Sequence, residues 1–368
     1  MTDKAWAKPV EMDRSSHTYR EIIEQPAAWP RALAEARAQW HGVRDALGSR
    51  LDAPEIVFTG CGSSYYLSLA AAAQFRRKIA RPVSVLASSE LLLHSPVAFG
   101  AKRPYLLIAV SRSGETTEVI DALGFARSQH GAPVLAVSAY ADKLLAMLGD
   151  ARIVIEAGQE ASVVMTKSYT SMLLALQTVA ARLGGNPLDI ALVDSQLDRL
   201  PGLLARLLPK YGPLAEHVGA LPDIEKRIFL GSGPYYGLAL EANLKMKEMA
   251  IVTSEVYHTL EYRHGPISIV DKNTLVVCFI SDAGYDYEVA LLPELKALGA
   301  RLFVVCERAN ETITKNADFL VELSSGLDES TRAVLYLPFA HLIAYSCAVS
   351  RGETPDNPRN LGQVVKLR

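Results

Sequence analysis

Short runs of Val, Ile and Leu recur at residues 55–59, 83–87, 105–110, 134–137 and 152–156, each separated from the next by a longer stretch of helical spacing. None of these runs alternates apolar with polar positions. Strands that are apolar on both faces and separated by helices predict a parallel sheet covered on both sides, the doubly wound α/β class. The series then returns at 227–230, 274–280, 302–305 and 319–323, which predicts a second sheet of the same type.

The return can be followed residue by residue. IVFTGCGSSYYLSLAAA from Ile56 lies over RIFLGSGPYYGLALEAN from Arg227 at an offset of 171, so that Gly60 and Gly62 fall on Gly231 and Gly233. LLIAVSRSGETTEV from Leu106 lies over VVCFISDAGYDYEV from Val276 at an offset of 170, which pairs Ser111 with Ser281 and Gly114 with Gly284. The chain is read as an internal duplication. Its joint falls between about 183 and 223, where Pro201, Pro209, Pro213 and Pro222 punctuate leucine-rich helical segments. The stretch 335–350 is apolar but contains Pro338 and His341 and is short for a membrane span of about 20 residues. It is expected to be a buried helix, with no membrane partner.

Length and composition agree with this picture. At 368 residues, 49% apolar and 21% charged, the chain is long enough for two cores. A net charge of −2, from 38 basic and 40 acidic residues, gives no overall basic field, so no nucleic-acid partner is expected. Cys61, Cys278, Cys306 and Cys347 form neither a CxxC pair nor a Cys/His cluster, so neither a zinc site nor a disulfide framework is expected. The opening MTDKAWAKPVEMDR carries charges where a signal peptide needs an apolar core. The expected location is the reducing cytoplasm.

In an open parallel sheet, ligands bind outside the carboxyl ends of the strands. There the first half places Ser63-Ser64 and Ser111-Arg112-Ser113-Gly114-Glu115-Thr116, whereas the second half places Pro234-Tyr235 and Ser281-Asp282-Ala283-Gly284-Tyr285-Asp286. Only the first set suits an anion. Helix N-termini offer unpaired N–H groups and partial positive charge, so hydroxyls and glycine can hold a phosphate there. The same residue types serve as ordinary helix caps, but two hydroxyl-rich loops at neighbouring strand ends favour a phosphate cradle. A nucleotide cofactor is not expected: the third glycine of a dinucleotide fingerprint would fall at Tyr65, and no GxxxxGK[ST] is present.

In the second half, Glu241, Lys245 and Glu248 are spaced to share one helix face within LEANLKMKEMA. Such spacing is also that of a solvated face with weak salt bridges. Glu255 and the turn Glu261-Tyr262-Arg263-His264-Gly265-Pro266 follow, adding acid and imidazole. A carboxylate can move a proton between adjacent sugar carbons, and an imidazole can open the ring by proton transfer at its oxygen.

The stretches CGSS, SRSGETTEV, LEANLKMKEMA, EYRHGP, DNPRNLGQVVKL and REIIEQP resemble the tandem sugar isomerase (SIS) domain family, as in the isomerase half of glucosamine-6-phosphate synthase and its stand-alone relatives. The likeness covers nearly the whole chain in order. It implies two flavodoxin-like SIS domains at about 31–195 and 196–352, preceded by a helical arm at 1–30 and followed by a tail over the active site at 353–368. It also implies that Ser64, Ser111, Arg112, Ser113 and Thr116 hold a sugar phosphate and that Val163 contacts the sugar. Glu248 matches the base that shuttles a proton between C1 and C2, with Lys245 beside it. His264, 16 residues on, matches the ring-opening residue, which in the family comes from the partner subunit and so implies a homodimer.

Two departures shape the expected reaction. The synthase draws ammonia through a separate N-terminal glutaminase domain, whereas here the SIS likeness begins almost at once. The synthase also uses a lysine near its C-terminus to form an imine with the open-chain ketose, and that position is Gln363 here, with Lys366 three residues later. An amide forms no Schiff base. The leading expectation is therefore deamination of an amino-sugar 6-phosphate to a ketose 6-phosphate and ammonia, with no metal or redox cofactor. The alternatives are a deglycase of 6-phosphorylated Amadori compounds, a plain aldose–ketose isomerase, and a phosphosugar sensor without catalysis.

Overall fold

The computed structural model describes residues 12–95 and 104–367; the first eleven residues of the expected N-terminal arm lie outside the described residues. The chain divides into two compact units. One gathers Glu24–Glu160, Lys167–Pro201 and the chain from Gly362 onward, and the other gathers the segment ending at Ile23, Ala161–Thr166 and Gly202–Leu361.

The first of these units holds a five-stranded sheet of β1 (Glu55–Gly60), β2 (Val83–Ala87), β3 (Tyr105–Val110), β4 (Val134–Ser138) and β5 (Ala151–Val154), in the order β2-β1-β3-β4-β5. The other holds β6 (Lys226–Gly231), β7 (Glu255–Tyr257), β8 (Thr274–Phe279), β9 (Arg301–Cys306) and β10 (Phe319–Glu322), in the order β10-β9-β8-β6-β7. Every neighbouring pair is parallel. Read from the β7 edge, the second order repeats the first, and both are the flavodoxin-like doubly wound order. The central strands β3 and β8 are buried at every position, which is why their sequences read as unbroken apolar runs.

The duplication reaches backbone detail. Gly62 and Gly233 each cap the following helix with nearly the same left-handed torsions, φ 53° and 55°. A Cβ on Gly60 would stand 2.8 Å from the Ser64 carbonyl carbon, and one on Gly231 would stand 2.6 Å from the Tyr235 carbonyl oxygen. In both halves the helix start is packed so closely on the strand end that only glycine fits. The ladders refine the offset. Thr59 pairs with Ala109 and Leu230 pairs with Cys278, so strands β3 and β8 correspond at an offset of 169. The loops keep 170, because the second has Ile280 as an extra residue before its serine.

Predicted and observed strands differ mostly at their ends. The run at 152–156 slides to Ala151–Val154 because Glu156 opens a short 3-10 turn, Glu156–Gly158. Strand β7 has no counterpart in the predicted series. Its three residues are only partly buried and form no apolar run. The apolar stretch 335–350 becomes the helix Leu337–Ser350, which packs on the helix Pro234–Ala250. Residues Glu329–Ser350 are long and apolar enough to cross a bilayer, but 89% of the apolar window is buried inside the protein.

Candidate active site

In the first-sheet unit, strand order reverses between β1 and β3, and the loops after these two strands carry the predicted phosphate residues. Ser64 lies in the first turn of the helix Ser63–Lys78 and is 5% exposed; its N–H donates to the Cys61 carbonyl at 3.0 Å. Beyond β3, the hydroxyls converge: Ser111 Oγ lies 3.2 Å from Thr116 Oγ1 and 3.5 Å from Ser113 Oγ. The Gly114 N–H donates to Ser111 Oγ at 3.2 Å and the Glu115 N–H to Ser113 Oγ at 3.3 Å. Thr116 is the N-cap of the helix Thr117–His130. Hydroxyls and a helix N-terminus thus face the same small volume, the arrangement that favours an oxyanion.

Two further residues of this unit are fixed by contacts that the sequence does not announce. Arg112 lies between Glu160, 3.4 Å from Nη1, and the backbone carbonyl of Gln363, 3.3 Å from Nη2. Glu160 is buried and accepts from the Ser168 N–H at 3.0 Å and from the Ser168 hydroxyl. The tail then follows the helix start. The Thr117 N–H donates to the Val365 carbonyl at 3.4 Å, and the Leu367 N–H donates to Thr117 Oγ1 at 3.1 Å. Lys366 lies 3.8 Å from Glu115, which also pairs with Lys143 at 3.5 Å. Gln363 therefore meets Arg112 through its backbone, and Lys366 is engaged with Glu115.

The corresponding loop of the second-sheet unit is filled from within. Glu288 accepts from the Ser281 N–H at 2.7 Å and from Ser281 Oγ at 2.9 Å. The Asp282 N–H donates to Glu329 at 2.6 Å, and Asp282 is bound by the guanidinium of Arg332. Internal carboxylates take the donors that an anion would use.

That unit instead carries the group of Glu241, Lys245 and Glu248 and the loop of His264. On the helix Pro234–Ala250, the Lys245 ammonium lies 3.3 Å from Glu241 Oε1 and is hydrogen-bonded to Glu248. The Glu241 and Lys245 side chains are fully buried, whereas that of Glu248 is 20% exposed. The face is therefore a buried ion group and not a solvated surface. Burial alone would lower the Lys245 pKa, but the carboxylates of Glu241 and Glu248 outweigh it and hold the ammonium above its ordinary value. His341, from the apposed helix, is also fully buried; burial first, then the Lys245 charge, hold its imidazole neutral. Just past Glu248 the helix ends with Ile251 in the left-handed region, at φ 52°, a strained conformation for a β-branched residue.

His264 lies between two short 3-10 turns, Glu261–Arg263 and Pro266–Ile269. Tyr262 anchors this loop in the core and Arg263 forks onto Glu294 at 2.6 and 3.0 Å, while His264 itself is exposed. Val163 lies in the segment Ala161–Thr166, and its N–H donates to the Asp356 carbonyl at 3.1 Å.

Sequence reasoning passed over Glu160, Glu21, Asp356 and His341 as site residues. Glu160 lies three residues before Val163, and Glu21 and Asp356 lie within the quoted stretches REIIEQP and DNPRNLGQVVKL, so their neighbourhood was the available signal.

Two duplicated doubly wound sheets define a tandem α/β protein. The chain belongs to the SIS domain family, whose model matches residues 51–182 and 221–349, one match over each sheet. Glutamine–fructose-6-phosphate aminotransferase (isomerizing) of Methanothermobacter thermautotrophicus is 30% identical over 350 residues, covering 95% of this chain and 57% of the relative. The chain thus spans somewhat over half the length of the curated relatives it matches. Among solved structures, the C-terminal domain of glucosamine-fructose-6-phosphate aminotransferase from Francisella tularensis is similar with a TM-score of 0.80 at 25% identity, covering 97% of this chain and all of that one. Glucosamine-6-phosphate deaminase from Thermotoga maritima follows with a TM-score of 0.71 at 27% identity, covering 92% of this chain and 100% of that one.

Proposed function

We propose that the protein deaminates an amino-sugar 6-phosphate, giving a ketose 6-phosphate and ammonia. The hydroxyls of Ser64, Ser111, Ser113 and Thr116, with Arg112, hold the phosphate, and Val163 contacts the sugar. His264 opens the ring by proton transfer at the ring oxygen. Glu248 takes the proton from C2 of the open-chain aldehyde, giving an enolamine, and returns a proton to C1. The product is a C2 imine made from the substrate's own nitrogen, and water cleaves it to the ketone and ammonia.

The observation that carries this reading is the buried group of Glu241, Lys245 and Glu248. A solvated helix face would leave these side chains exposed. Here the most accessible member is the carboxylate required for proton transfer, and Lys245 sets a fixed positive charge against it. Gln363 also fits, because a substrate that supplies its own imine nitrogen needs no protein lysine. The likeness to a solved glucosamine-6-phosphate deaminase at 27% identity supports the same assignment. His264, exposed on its loop, suits donation across a homodimer, as the family resemblance implies.

The test is ammonia release, with product identification by mass spectrometry, from glucosamine 6-phosphate and galactosamine 6-phosphate in parallel. Ammonia from one alone establishes the deaminase and names its epimer. A ketose formed from an aldose phosphate with no ammonia from either amino sugar would replace deamination with plain isomerisation.

A further inference from the structure

The segment Ala161–Thr166 belongs to no helix or strand, so no backbone ladder fixes its position. It is held by residues far away in the chain. The Glu21 carboxylate, 5% exposed on the helix His17–Ile23, accepts from the Ala161 N–H at 2.6 Å and from Ser162 Oγ at 2.5 Å. Ser162 Oγ, itself buried, lies 3.0 Å from the Val164 carbonyl. On the other side, Asp356 accepts the Val163 N–H through its backbone carbonyl at 3.1 Å. The Asp356 carboxylate meanwhile accepts from the His17 N–H at 2.9 Å and from the N–H and hydroxyl of Thr18, both at 2.7 Å. It therefore caps the helix that carries Glu21.

These contacts close a ring: arm helix, Glu21, the Val163 segment, Asp356, and back to the arm helix. We propose that Glu21 and Asp356 are positioning residues that fix Val163 for contact with the sugar, which makes the N-terminal arm part of the substrate-binding machinery. The inference rests on the phosphosugar reading and deepens it. A carboxylate that only stabilised the arm would have no need of two donors on consecutive residues of a segment outside every helix and strand. Glu21 instead fixes Ala161 and Ser162 directly, and Asp356 fixes the residue after them. Both act through the segment and neither is assigned contact with the reacting atoms.

The test compares two probes on the full chain: inorganic phosphate, which needs only the cradle, and glucitol 6-phosphate, an open-chain analogue without a carbonyl. Their affinities are measured calorimetrically for wild type, Glu21→Ala, Glu21→Gln and Asp356→Asn. Hydrogen exchange is followed at the amides of Ala161 and Val163. In Glu21→Ala the affinity for glucitol 6-phosphate should fall about ten-fold, with inorganic phosphate unchanged within about two-fold and faster exchange at Ala161. Glu21→Gln should recover most of the loss, because its amide oxygen still accepts from the Ala161 N–H. Equal loss for both probes in every variant would mean that the ring only stabilises the fold, and no loss for either would mean that it is dispensable; both results overturn the proposal. A wild-type protein that binds inorganic phosphate but not glucitol 6-phosphate would sink the phosphosugar reading itself, and this inference with it.

Discussion

The Lys245 ammonium lies 3.3 Å from Glu241 and is hydrogen-bonded to Glu248 as well, so a single buried cation serves two carboxylates on one helix face. The two ends of that group should respond differently to mutation. Lys245→Met leaves Glu241 as a buried charge without its counter-ion, and should lower unfolding stability by about 3–5 kcal/mol in a denaturant titration. Glu248→Gln keeps the shape and loses the base. Its stability should change little while turnover falls about 10²- to 10⁴-fold. Turnover near wild type in Glu248→Gln would remove Glu248 as the proton shuttle.

The cradle after β3 should answer through binding. Ser113→Ala and Thr116→Ala each delete a hydrogen bond to a charged group, worth about 1.5–3 kcal/mol, so substrate affinity should fall about 10- to 150-fold with a smaller effect on kcat. Ser281, the matching serine of the duplicate loop, is bound to Glu288, and Ser281→Ala should leave substrate affinity unchanged. Loss of affinity in Ser281→Ala, with none in the first pair, would place the phosphate on the wrong half of the duplication.

His264 is exposed on a loop fastened by Tyr262 and Arg263. If it acts on substrate bound to the partner subunit, mixing Glu248→Gln and His264→Ala homodimers should restore activity. Random exchange leaves one intact site in half of the molecules, so recovery approaches about a quarter of wild type when each mutation abolishes its own site. No recovery, with subunit exchange verified by native mass spectrometry, would assign both residues to one chain.

How much of this was legible in the sequence follows from the range of each interaction. Both sheets and the duplication were readable because strands buried on two faces must be apolar throughout, while Gly60 and Gly231 mark close approaches of helix to strand and Gly62 and Gly233 mark left-handed helix caps. The Glu241, Lys245 and Glu248 spacing was readable, but its burial was not. Nothing local distinguishes a solvated i, i+4, i+7 pattern from one covered by the helix Leu337–Ser350. Strand β7 was invisible because three half-buried residues carry no period. Glu21 and Glu160 look like ordinary helix or loop carboxylates in sequence. Glu21 acquires its role from Ala161, 140 positions away, and Glu160 acquires its role from Arg112, 48 positions away.

Asp356 gives the arm a defined response to acid. Burial pulls its pKa upward, but hydrogen bonds from the Thr18 N–H, the Thr18 hydroxyl and the His17 N–H, together with the His17 charge, hold it below its ordinary value of 3.8. A carboxylate with a depressed folded-state pKa stabilises the fold above its unfolded value, and that contribution disappears as pH falls through the folded value. The stability difference between wild type and Asp356→Asn should therefore be constant above about pH 4 and shrink below it. Urea titrations at a series of pH values measure that difference, and hydrogen exchange at the His17 and Thr18 amides reports the arm directly. A difference that stays constant down to pH 3, or that grows on acidification, would show that the Asp356 carboxylate does not hold the arm.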